Sequence, residues 1–161
     1  GTFDRSAFAA KISLQPCERF AILSPIGYPA QKPHLPQQLF RRVLRADARK
    51  PWDQLFFDGN LQTPLTPDAA GEYAFPLEMV RLAPSAVNRQ PWRVAHAGNA
   101  FHFYLEGDAA GSMDMQRIDL GIAACHFHLA AMERGLNGRF ERVQPNLPAP
   151  QKTYLFSWIC G

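Results

Sequence analysis

Two prolines, Pro84 and Pro91, bracket the stretch Ser85-Ala86-Val87-Asn88-Arg89-Gln90 and limit what can lie on either side of it. A proline neither continues a helix nor donates to a central strand, and it pushes the residue before it into extended backbone. The helical pattern that Pro76 opens, with Leu77, Val80 and Ala83 on one face, must therefore stop at Pro84. Downstream, Trp92-Arg93-Val94-Ala95-His96 alternates, Gly98-Asn99 turns the chain, and Phe101-His102-Phe103-Tyr104-Leu105 alternates again, which is a hairpin signal. The chain is thus committed to a helix, a stiff connection and an antiparallel pair. The connection presents the carboxamides of Asn88 and Gln90, which can match donors or acceptors without adding a charge. Such a pair suits a flat polar ligand.

The remaining elements follow from the same rules. Asp4 reads as a helix start, with Phe8 and Ile12 one turn apart on one face. Phe20-Ala21-Ile22-Leu23 is a buried strand that the turn from Pro25 to Pro29 ends, and an extended connector spans Ala30 to Pro36. Leu39, Val43 and Leu44 line one side of a short helix whose other side is basic. A helical turn runs from Pro51 to Phe57, anchored by Leu55, Phe56 and Phe57 and closed by Gly59 and Asn60. Residues 58–75, with Pro64, Pro67 and few large apolar groups, read as a surface linker. A long helix carries Ile122, Cys125, Leu129, Met132 and Leu136 as its apolar stripe, with Gly135 and Gly138 at its far end. Phe140 and Val143 alternate with polar residues, Pro145 to Pro150 forms a turn, and Tyr154 to Ile159 is a final strand. Helices and strands in this order give an α+β class.

Charge and cysteine content exclude several functions. The net charge of +3 is only mildly basic, so nucleic acid is not an expected partner. Three cysteines without a C-x-x-C pair argue against a disulfide framework and fit a reducing cytoplasm. No apolar run approaches the roughly 20 residues that span a bilayer, so a soluble chain without membrane contact is expected. His126 and His128 are two apart on a helix and point to opposite sides, which disfavours a shared metal. Asp119, ahead of the long helix, reads as a complement to its N-terminal dipole. The basic group Arg41, Arg42, Arg45, Arg49 and Lys50 offers arginine forks that can bind two phosphate oxygens at once.

Pro84-Ser85, Asn88 and Gln90-Pro91-Trp92 resemble the Pro-Ser-x-x-Asn-x-Gln-Pro-Trp signature of the FMN-dependent nitroreductases, and most closely their TM nitroreductase subgroup. Gly1-Thr2-Phe3, Gly27-Tyr28-Pro29 and Asp119-Leu120-Gly121-Ile122-Ala123 add to the resemblance. It implies a nitroreductase-like α+β fold, with an antiparallel or mixed sheet flanked by helices. It also implies an oxidoreductase that passes electrons from NAD(P)H through FMN to a nitro, quinone or similar acceptor. The implied cofactor residues are Gly1 and Thr2 near the redox edge, Arg49 and Lys50 at the phosphate, and Pro84, Ser85, Asn88, Gln90 and Trp92 at the ring. No side chain is assigned as catalytic. The clamp follows Gly-Tyr-Pro here, whereas ordinary members have it before. That order implies the end of a first module over 1–57, a linker over 58–75 and a second module over 76–161. The expected partners are an upstream segment of the same chain and, as in ordinary members, a second subunit forming a homodimer. The alternative is a non-catalytic flavin-binding or interaction domain.

Overall fold

Alternation of inward and outward side chains sets the sheet, and the turn at Gly98, with φ +60, sets its first register. A computed structural model of the chain describes residues 5–15, 17–18, 26–28, 39, 41–106 and 113–161. Strand β2 (Trp92–Ala97) pairs antiparallel with β3 (Ala100–Glu106), Val94 facing Phe103 and Ala97 facing Ala100. With β1 (Phe56–Asp58), β4 (Gly138–Glu141) and β5 (Lys152–Cys160) they form a five-stranded sheet in the order β1-β2-β3-β5-β4. Only β1 is parallel to its neighbour, so the sheet is mixed. The helices among the described residues include α1 (Arg5–Lys11), α2 (Pro67–Ala70), α3 (Ala74–Leu82) and α4 (Met113–Glu133). The class is α+β, as the sequence implies.

The chain divides into two compact units, Gly1–His34 and Leu35–Gly161. In the first, α1 ends at Ser13 with φ 54, where Ser13 N–H donates to the Ala10 carbonyl and Leu14 N–H to the Ala9 carbonyl. This is the Schellman pattern. Ile26 and Tyr28 are exposed. The expected strand at Phe20–Leu23 and the connector at 30–36 lie outside the described residues.

In the second unit, α3 and α4 cover one face of the sheet. Leu77 and Val80 from α3 and Leu120, Ala123 and Phe127 from α4 share a core with Val94, Phe101, Phe103 and Trp158. The Phe127 ring lies 5.5 Å from Trp158 and 5.5 Å from Phe101. The opposite face is covered by Leu147 and Ala149, which pack on Phe57, Ala95 and Tyr104. Gly138 sits where a Cβ would meet the Trp158 indole at 2.5 Å, so a side chain there has no room.

Several expectations need correction. Phe56 and Phe57 form β1 and not a helical turn, because a turn of 3-10 helix stops at Gln54 and Phe56 then pairs beside Val94. Residues 58–75 are not a surface linker, since Leu61, Leu65 and Ala70 are buried. Pro67 opens α2 where its missing N–H costs nothing, and Thr66 caps it by accepting from Ala69 N–H at 3.1 Å. Residues 41–43 are helical, but Leu39 and Val43 are exposed and only Leu44 turns partly inward. The core face of α4 is Leu120, Ala123, Phe127, Ala130 and Ala131, whereas Cys125, Leu129 and Met132 are exposed. That helix is apolar on nearly every side, so its periodicity fits two faces, and the largest ring decides between them. Val143 lies beyond β4, and its N–H donates to the Tyr154 hydroxyl.

Candidate functional site

The connection between Pro84 and Pro91 is held in an uncommon shape. Ser85 is extended, its carbonyl accepts from Asn88 N–H at 3.1 Å, and its Oγ accepts from Gln90 N–H at 2.8 Å. Between these bonds, Val87, Asn88 and Gln90 adopt φ of 47, 55 and 49. Left-handed backbone costs a non-glycine residue about 1–3 kcal/mol and persists only where the surroundings over-determine it. For Val87 the β-branch adds to the cost.

Here the surroundings are residues 45–50. Asn88 Nδ2 donates to the Arg45 carbonyl at 2.6 Å and the Ala48 carbonyl at 2.9 Å. Gln90 Oε1 accepts from Lys50 N–H at 2.8 Å, and its Nε2 donates to Asn88 Oδ1 at 3.1 Å. Residues 48–50 belong to no helix or strand, so their backbone groups need partners from elsewhere. The two carboxamides supply them. Amides expected to face a ligand are therefore bonded first to the polypeptide, and Gln90 is 3% exposed.

Arg49 joins the same lock. Its Nε donates to the Leu82 carbonyl at 3.2 Å, at the negative end of α3, and its Nη1 donates to the Ala46 and Ala48 carbonyls at 3.0 and 2.9 Å. Nη1 also reaches Asn88 Oδ1 at 3.4 Å. Among the described residues, Nη2 makes no hydrogen bond. A cleft of about 290 Å³ opens beside this guanidinium. Leu44, Ala46, Pro84 and Val87 give it apolar walls, and Arg41, Arg49, Ser85 and Asn88 give it polar ones. Arg41 pairs with Asp47 at 2.5 Å, with both side chains mostly exposed.

Of the sequence-predicted site residues, Arg49, Pro84, Ser85 and Asn88 thus meet at one cleft. Lys50 and Gln90 are bonded to each other through Lys50 N–H and do not line it. Trp92 is fully buried in the core between the helices and the sheet. Gly1 and Thr2 lie outside the described residues. Leu44, Ala46 and Val87 carry no chemical signature that would single them out in the sequence. Asp119 is not a dipole complement at a helix start, because it lies inside α4; its Oδ1 accepts from Ala86 N–H at 2.9 Å.

A charged group adjoins the loop at Gln90. Glu106 pairs with Arg93 and with Lys50, whose Nζ is 3.6 Å away. Arg93 Nη1 also donates to the Gln90 carbonyl at 3.2 Å, which ties this group to the loop. Burial pushes the Lys50 ammonium below its usual range and Arg93 adds to that, while Glu106 opposes it. Burial raises the Asp119 carboxyl, and the Ala86 N–H opposes the rise. Among the described residues, no three His, Cys, Asp or Glu side chains converge as a metal site would require. No described helix is long and apolar enough to cross a membrane.

The family model described as "Putative TM nitroreductase" matches residues 1–131. Strands β4 and β5 lie beyond that match and still complete the sheet. Neither curated proteins nor solved structures give a match to the chain.

Proposed function

The chain belongs to the TM nitroreductase family, whose general role is that of an oxidoreductase, and within that role we propose an FMN-dependent enzyme using NAD(P)H. Its acceptor is a nitro compound, a quinone or a similar small molecule. The observation that carries this reading is the cleft in which Arg49, Ser85 and Asn88 meet the apolar walls of Leu44, Pro84 and Val87. That donor set fits FMN: a guanidinium suits a phosphate, a hydroxyl and a carboxamide suit a polar ring edge, and aliphatic walls suit the ring faces. When bound, the flavin supplies the hydride chemistry itself.

The chain's residues bind, orient and exclude water. Arg49 is held by three backbone carbonyls, so its guanidinium is fixed before a ligand arrives. Ser85 is fixed by the bond from Gln90 N–H, and Asn88 by its own bonds to 45–48. Gln90 braces Lys50, and Trp92 anchors the following strand in the core. Lys50 and Arg93 contribute positive potential to this region, which Glu106 partly neutralises. A homodimeric assembly and a cytoplasmic location belong to the same reading.

Titration of the chain with FMN, followed by flavin fluorescence, is the direct test. Saturable binding is expected, and Arg49→Ala should weaken it roughly 10- to 100-fold, the loss of one hydrogen bond to a charged group worth about 1.5–3 kcal/mol. No binding of FMN to the unaltered chain would end this reading. A second reading, a flavin-binding or interaction domain without turnover, is favoured by one observation: the donors of Asn88 and Gln90 are already bonded to the protein. Bound flavin with no NAD(P)H oxidation in the presence of a quinone selects it.

A further inference from the structure

Asp119 has no part in the proposed chemistry, yet it is placed where a carboxylate is costly. It lies on the inner side of α4, is 3% exposed, and is followed by the fully buried Leu120. Its Oδ1 accepts from Ala86 N–H at 2.9 Å, while Oδ2 is buried without a hydrogen-bond partner among the described residues. Burying a charge is unfavourable unless it is fully paired, and a neutral Asn would supply the same acceptor without that cost. What only Asp supplies is a charge-assisted bond, roughly twice as strong as a neutral one. The donor is the first residue of the turn Ala86–Asn88, immediately before the left-handed Val87 and Asn88.

We propose that Asp119 is a positioning residue, whose buried carboxylate holds Ala86 and so keeps the left-handed Val87, Asn88 and Gln90 in the shape that forms the cleft wall. The loop is then gripped from two sides. Residues 45–50 hold its far end through Asn88 and Gln90, and α4 holds its near end through Asp119. Neither grip alone opposes the tendency of Val87 to leave φ 47, because the bonds on each side stop short of its own backbone. The assignment rests on the cleft being the binding site, so its test is arranged to separate the two claims.

Amide hydrogen exchange on the flavin-free chain reads the loop without any ligand. The protecting bonds to watch are Asn88 N–H to the Ser85 carbonyl, Arg89 N–H to the Ala86 carbonyl and Gln90 N–H to Ser85 Oγ. Asp119→Asn is expected to speed exchange at these amides roughly 3- to 30-fold, the difference between a charged and a neutral acceptor, with the urea midpoint unchanged or higher. Asp119→Ala should speed it further. Unchanged exchange in both variants overturns the proposal, and so does a uniform rise across the sheet with a lower midpoint, which marks a merely structural role. FMN titration of the same proteins separates the claims. Faster loop exchange with weaker FMN binding supports both, whereas faster loop exchange in a chain that never bound FMN leaves the positioning role standing and removes the flavin.

Discussion

Val87 shows how a single residue reports on the site. It is 60% exposed and buries little, yet its β-branched side chain sits on left-handed backbone. Glycine adopts that region freely, so Val87→Gly should raise stability by about 1 kcal/mol in urea unfolding, despite glycine's larger entropy in the unfolded chain. Gln90→Ala should act oppositely. It strands Lys50 N–H and removes the link to Asn88, at about 1–3 kcal/mol in the same measurement. The residue types of this loop were legible in the sequence, and so was its stiffness. Their partners were not, because residues 45–50 lie some forty positions upstream and nothing local encodes that meeting. Helix ends show the same divide. Gly135, with φ 70, closes α4 as its residue type announces, whereas Ser13 and Arg45 close their helices in the same conformation with no glycine to mark it.

Among the elements, α4 separates periodicity from burial. The stripe through Cys125, Leu129 and Met132 has helical spacing, but Phe127 carries the packing, with its ring against Tyr73, Phe101, Phe103 and Trp158. Phe127→Ala should therefore cost about 3–5 kcal/mol, while Met132→Ala should stay within about 0.5 kcal/mol. Thermal and urea unfolding of the two variants check which side faces inward. At the sheet edge, Gly138→Ala should cost about 1–3 kcal/mol, since its Cβ would strike both the Trp158 ring and the Ile159 carbonyl. The hairpin β2–β3 and strand β5 were legible because their alternation is regular. Strand β1 was not, because a short segment behind Pro51 offers the same signals as a helical turn.

For the molecule as a whole, the face of the sheet away from the helices contains a chain of polar groups. His102 Nδ1 lies 2.6 Å from Ser157 Oγ, which lies 2.9 Å from the Tyr154 hydroxyl. Burial, and secondarily the charge of His96, holds His102 below its usual value of 6.5. The unfolded chain then binds more protons than the folded one below that pH, so stability is full above about 6.5 and falls as pH drops through the folded value. Urea midpoints measured from about pH 7.5 down to about pH 5 should decline, and His102→Gln should flatten the decline. The lock between 45–50 and 84–91 acts at this scale too. Because the polypeptide has already frozen the rotamers of Arg49, Asn88 and Gln90, a guest molecule finds a finished mould and surrenders little further entropy of the host on arrival.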